Sequence, residues 1–203
     1  EDIMQNHPWQ IAPTLLEDVY NFEDALMVGL LLITLLKHAD RVKMACLAQL
    51  VNVIAPIMTD PNGGAAWRQT IFYPFMQASK YGRGSVLLPS MHVTEHETSG
   101  HGTVTDADAV AVYDDEKEEI TIFAVNRTQS CDVELTCDVR SFEGYAVKGH
   151  QILRSDDLKA VNSSSAENVK PEEGAAFIMD GGILTGILPK MSWNVIRLGI
   201  AEE

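Results

Sequence analysis

Positive charge is scarce in this chain. Fifteen Lys and Arg face 29 Asp and Glu, a formal charge of −14. Nucleic-acid binding needs clustered cations against phosphate, so this balance excludes nucleic acid as a partner, and an anionic membrane surface with it. It suits a soluble protein whose partners are neutral or basic. Cysteine is almost absent. Cys46, Cys131 and Cys137 make an odd number with no CxxC spacing, so free thiols in a reducing, cytoplasmic compartment are expected rather than a disulfide framework. Cys46 falls in an apolar run and is expected to be buried. Long apolar stretches are missing too. The longest, Ala25–Leu36, spans 12 residues broken by Gly29 and Thr34, too short for a bilayer, and no signal peptide opens the chain. Without a secretion signal, the acceptor patterns Asn126-Arg-Thr128 and Asn162-Ser-Ser164 are chance matches. No internal repeat is visible.

What is present is organised around residues 41–56, RVKMACLAQLVNVIAP. Val42 to Ile54 is nearly continuous apolar sequence, the pattern of a strand covered on both faces as in a parallel, helix-wrapped sheet. Gln49 and Asn52 stand at its carboxyl end, where parallel barrels carry their chemistry. A helix is expected before the run, over 23–38, begun by Asn21 and Asp24 and apolar nearly all round, hence covered on most sides. Another is expected after it, over 68–81, closed by Gly82. Between them, Thr59-Asp60-Pro61-Asn62-Gly63-Gly64 is a loop by every turn signal.

From Ser85 onward the period changes to two. Strands are expected over 107–113, 119–126, 132–139, 145–153, 183–188 and 193–198, with Asp114–Glu118 as an acidic, solvated hairpin turn. Val133, Leu135, Cys137 and Val139 share one face of the third of these. Short strands between polar turns define an antiparallel sandwich. Trp193 belongs in its core. Residues 85–106 and 155–182 read as loops, the polar part of the latter, 155–174, ordered only if something holds it.

Three blocks, PTLLEDVYNFEDALMVGLLLITLLKHADRVKMACLAQLVNVIAPI, NGGAAWRQTIFYPFMQASKYGRG and the later AVAVYDDEKEEITIFAVNR with CDVRSFEGY and LPKMSWNVIRL, resemble in this order the last part of the α-L-arabinofuranosidases of glycoside hydrolase family fifty-one. The resemblance implies that 1–82 is the closing helix-strand-helix part of a (β/α)8 TIM barrel and 83–203 a jelly-roll-like antiparallel β-sandwich beside it. It implies a retaining exo-glycoside hydrolase that releases terminal α-L-arabinofuranosyl residues from arabinoxylan or arabinan oligosaccharides, needs no cofactor, and assembles as a homo-oligomer. The chemistry takes two carboxyl groups about 5 Å apart. No residue here matches either glutamate motif; both are expected on barrel strands upstream of Glu1, so the missing N-terminal barrel part is itself a partner and the chain alone should be inactive. The opening, acidic and irregular before His7-Pro8-Trp9, reads as a cut edge. By the same resemblance Gln49 binds a hydroxyl of the arabinofuranosyl ring, its amide able to donate and accept in one plane. Asn52 is the weaker substrate-binding candidate, because it could equally fix its loop.

Other candidates carry less. Trp67 could stack on a sugar but sits where packing aromatics are common. His92, His96 and His101, with Glu95 and Glu97, have spacings a metal could use, yet no cysteine is near and no metal site is expected. Glu17, Asp18, Glu23 and Asp24 are helix-start acids rather than a catalytic pair. The alternative function is a non-catalytic carbohydrate-binding module or a structural oligomerisation sandwich. The first would show aromatics on one sheet face, and these are sparse beyond residue 106.

Overall fold

The computed structural model describes residues 17–60, 63–100 and 102–201. The first helix, α1 (Phe22–Lys37), begins where the sequence places it. Asn21 accepts from the Asp24 amide and Asp24 accepts from the Asn21 amide at 2.7 Å, a reciprocal capping box. The short strands β1 (Ile57–Thr59) and β2 (Ala66–Arg68) follow as a hairpin, then α2 (Phe72–Tyr81). The second helix is therefore shorter than expected, because 66–68 pair as a strand. Gly82 ends α2 as anticipated, but for a steric reason and not a left-handed one. A Cβ there would sit 2.5 Å from the Ala78 carbonyl oxygen.

Eleven further strands complete the described chain: β3 (Ser85–Leu87), β4 (Glu95–Thr98), β5 (Gly102–Thr105), β6 (Ala107–Asp114), β7 (Glu119–Asn126), β8 (Val133–Asp138), β9 (Tyr145–Arg154), β10 (Glu172–Glu173), β11 (Ile178–Asp180), β12 (Ile183–Leu188) and β13 (Ser192–Ile200). A six-stranded sheet runs β10-β9-β13-β7-β6-β3 and a three-stranded one β11-β12-β8, all pairs antiparallel and neither sheet closed. The β4–β5 hairpin forms within a segment expected to be loop.

The large sheet is covered on both faces. Ile120, Ile122, Ile196 and Leu198 point toward the small sheet and pack with Leu184, Leu188 and Phe177. Phe123, Val125, Trp193 and Val195 point the other way, into a core made with Phe22, Leu26, Ile33 and Tyr73 of the helical segment. Thus β7 and β13 are buried through nearly their whole length and do not alternate, whereas β8, an edge strand of the small sheet, alternates as expected. Trp193 is fully buried, but in the helix-to-sheet core and not between the sheets. Its ring stacks on Phe123 with centroids 5.6 Å apart, and its indole N–H donates to Gln77 Oε1 at 2.8 Å. The helix lies directly on it. A Cβ at Gly29 would come within 2.6 Å of Trp193 Cε3.

The 155–174 connection is held at several points. Glu23 N–H donates to Leu158 O at 3.0 Å, Val169 is fully buried, and Lys159 pairs with Glu23 across the surface. Asn162 is 3% exposed, donating from Nδ2 to Arg68 O at 3.0 Å and Val169 O at 2.8 Å. Asn126 is likewise buried and donates to Leu188 O at 2.9 Å. Neither asparagine offers its amide to a sugar-transferring enzyme in the folded chain.

One expectation fails outright. Residues 42–50 form no strand, and Val51 makes only an isolated parallel bridge to Ile57. Cys46 is exposed, not buried; Cys131 is exposed and Cys137 half-buried, and all three thiols are free. Met44 and Leu50 are 83% and 71% exposed, and α1 leaves Met27 and Leu31 uncovered rather than buried on most sides. A two-faced strand needs neighbours to either side and helices above and below. Among the described residues 42–54 has only the isolated Val51–Ile57 bridge and no strand along either edge. No helix of the described residues is long and apolar enough to cross a membrane.

Candidate functional site

Gln49 and Asn52 lie in a turn that leads from the irregular 42–50 segment into β1. Gln49, Asn52 and Val53 all have positive φ, at 59°, 62° and 61°. Asparagine tolerates this region, but for glutamine and especially a β-branched valine it costs on the order of 1–2 kcal/mol each. The strain is concentrated within five residues, in the turn that carries both amides singled out from the sequence.

The turn is fixed from the Asn52 side. Its backbone N–H donates to Ile57 O at 2.8 Å, and its Oδ1 accepts from the Thr59 amide at 2.8 Å. Its Nδ2 reaches Thr59 Oγ1 at 3.0 Å, so the side-chain amide is engaged in tying 52 to 59. Beneath it lies a polar anchor that sequence reasoning passed over. Gln69, 2% exposed, donates to Ala55 O at 2.9 Å and to Asp18 O at 3.2 Å, and accepts from the Tyr20 amide at 2.9 Å. Thr70 is fully buried and hydrogen-bonds Tyr20 O at 3.1 Å. Together they join the turn to the start of α1. Gln69 and Thr70 stand just ahead of Ile71, the N-cap of α2, and that position is the one hint the sequence offers.

Gln49 is not so engaged. Its side chain is exposed, makes no hydrogen bond among the described residues, and lines an open cleft of about 860 Å³ with Leu47, Leu50, Phe72, Phe75 and Lys80. The two amides therefore differ in kind, one committed to the turn and one exposed without a hydrogen bond among the described residues.

Trp67, on β2, is half-buried at a second cleft of about 630 Å³, shared with Arg68, Phe72, Ser163–Ser165 and Glu167. Phe72 belongs to the walls of both clefts. The Arg68 guanidinium lies 5.3 Å from the Phe72 ring centroid and 3.8 Å from Glu167 Oε1. The Tyr73 phenol donates to the same oxygen, and burial, then that carboxylate, pushes its pKa well above the usual tyrosine value. Of the histidines singled out, His96 is 2.6 Å from Asp106 Oδ1; the Thr94 hydroxyl, then His96, hold that carboxyl below its usual range. His92 lines a separate cleft beside β8, and His101 lies outside the described residues. Of the four acids near the helix start, Asp24 caps α1 and Glu23 pairs with Lys159.

An antiparallel sandwich with one sheet backed by a helical segment also occurs within a solved family 51 alpha-L-arabinofuranosidase from Bifidobacterium longum. That structure is 40% identical, with a TM-score of 0.84, covering 96% of this chain and 38% of that one. Residues 3–192 match the model of the alpha-L-arabinofuranosidase C-terminal domain, and the chain belongs to that family. It is 61% identical to a protein of Acetivibrio thermocellus named as an intracellular exo-alpha-(1->5)-L-arabinofuranosidase, over 98% of this chain and 39% of the relative. It is 43% identical to a Bifidobacterium longum protein named for the (1->6) linkage, over 94% of this chain and 37% of the relative. The chain thus spans about two-fifths of the length of the relatives it matches.

Proposed function

We propose that this chain forms the C-terminal part of a cytoplasmic, retaining exo-α-L-arabinofuranosidase, with 1–82 completing a (β/α)8 barrel and 83–203 supporting it as a sandwich. Both catalytic glutamates would come from barrel residues beyond these 203. Gln49 would bond a hydroxyl of the terminal arabinofuranosyl ring, and Asn52 would set the turn that presents it and lie at the edge of the subsite. The exposed apolar residues of 42–51 and α1 would be covered by the rest of the barrel, and copies of the whole protein would associate as a homo-oligomer. The observation that carries this reading is the 61% identity, which extends over 98% of the chain and so includes the turn bearing the free Gln49 amide.

The test is a chimera in which these 203 residues replace the matching C-terminal part of the Acetivibrio thermocellus relative. The chain alone should give no turnover of an aryl α-L-arabinofuranoside, since loss of a catalytic nucleophile costs many orders of magnitude. The chimera should hydrolyse it. Gln49→Ala in the chimera should lower kcat/KM by about 10- to 100-fold, the worth of a buried neutral hydrogen bond and its desolvation, with part of the loss in kcat. A folded but inactive chimera, or inhibitor-sensitive turnover by the isolated chain, would overturn the reading.

A further inference from the structure

We infer that the cleft between β2 and the 162–167 turn is a second carbohydrate site, taking a neutral sugar unit beyond the arabinofuranosyl residue at Gln49; the arabinose identity of that sugar rests on the proposed function above. A sugar ring is recognised by an aromatic surface for its C–H face and by planar polar groups for its hydroxyls. The cleft has both. Trp67 and Phe72 supply the aromatic surface, and Arg68, Glu167 and Ser164 supply the polar groups. At about 630 Å³ it lies in the size range of ordinary small-molecule sites.

The polar groups are arranged and not merely present. Arg68 and the Tyr73 phenol both engage Oε1 of Glu167, which leaves Oε2 without a partner among the described residues and open to a hydroxyl donor. Ser164, at the tip of the turn, also has no hydrogen-bond partner there. Because Arg68 is already compensated by Glu167, an anionic ligand gains little from it, and the −14 charge of the chain disfavours one further. Neutral, hydroxyl-rich ligands remain.

The turn is also rigid. Buried Asn162 bonds both Arg68 O and Val169 N–H, the latter at 2.8 Å, and Ser163 N–H donates to Ala166 O at 2.8 Å. A site whose loop is already ordered loses less entropy on binding. Phe72, common to this cleft and to that of Gln49, makes them neighbours, so one oligosaccharide could occupy both.

The test is a titration of the chain with linear α-1,5-arabinotetraose, followed by amide and indole ¹H–¹⁵N shifts. Saturable shifts are expected at the Trp67 indole and at the amides of Ser163 to Glu167. Trp67→Ala and the shape-preserving Glu167→Gln should each weaken binding by about 10-fold, one hydrogen bond or one stacked ring being worth roughly that. Spectral dispersion reports whether each variant is folded. No shifts at these residues, or shifts unaltered by a folded Glu167→Gln, would overturn the inference. The readout needs no hydrolysis, so an inactive chimera would defeat the proposed activity without deciding this site, and absent shifts would defeat this site while the chimera stayed active.

Discussion

Residues 42–54 are more apolar than strand β7, yet it is β7 that is buried. VKMACLAQLVNVI forms no strand beyond the isolated Val51–Ile57 bridge and leaves Met44 and Leu50 in solvent, while EITIFAVN is paired on both edges and buried from Ile120 to Asn126. Hydrophobic content does not decide which is buried. What differs is what the rest of the chain supplies. β7 has β6 and β13 at its edges, the helical segment over Phe123 and Val125, and the small sheet over Ile122 and Ala124. A run like 42–54 records the burial a segment needs; the partners that meet the need are recorded elsewhere in sequence. For β7 they lie within these residues.

The sharpest way to break the comparison is amide exchange. Opening free energies range from near zero for unpaired segments up to the global stability for core strands. Amides of β7 and β13 should therefore exchange slowest, those of 42–50 fastest, differing by several orders of magnitude in rate. In the chimera the 42–54 amides should become slow. Equal protection of 42–50 and β7 in the isolated chain would show that the apolar run is structured by something within these residues after all.

Next in size is Trp193→Ala. The ring is fully buried against Phe123, under Gly29, with its N–H on Gln77. Its removal opens a cavity between helix and sheet and leaves the Gln77 amide one partner short. Large-to-small changes of this kind cost about 3–5 kcal/mol, to be read from the denaturant midpoint at unchanged m-value. A loss under about 1 kcal/mol would mean that α1 is not docked on the sheet as described.

Much of this fold was legible because local patterns carried it. The Asn21–Asp24 box, the alternation of β8 and the β6–β7 hairpin follow from short-range chemistry, and the six strands expected after residue 106 shift by at most two residues, whereas β3, β4, β5, β10 and β11 form in segments expected to be loops. The two-sided burial of β7 and β13 departs from the expected period of two because the helical segment covers one face of the large sheet and the small sheet the other. Polar anchors were the least legible. His150 is 5% exposed, its Nδ1 and Nε2 lying 2.9 Å and 3.0 Å from Ala175 O and Asn194 Oδ1, and nothing in a one-dimensional pattern couples residues 44 positions apart. The role expected of Gln49 came from resemblance alone. What the structure adds is that its amide is free while that of Asn52 is committed to Thr59.

The smallest effect is the most discriminating. Leu50→Ser in the isolated chain removes a side chain of which 71% already faces water, so little apolar area returns to solvent on unfolding. Stability should change by less than about 0.5 kcal/mol, as for surface substitutions generally. The same change of an aliphatic to serine at Ile122, 5% exposed between the two sheets, should cost several times more, because it leaves a void and puts a hydroxyl among apolar neighbours. The contrast should shrink in the chimera. If the barrel closes over 42–54, Leu50→Ser there becomes a core substitution costing about 2 kcal/mol or more, read as a fall in melting temperature absent from the isolated chain. A Leu50→Ser variant equally harmless in both proteins would mean that this segment is surface in the complete molecule too, and that its apolar character has a purpose other than barrel closure.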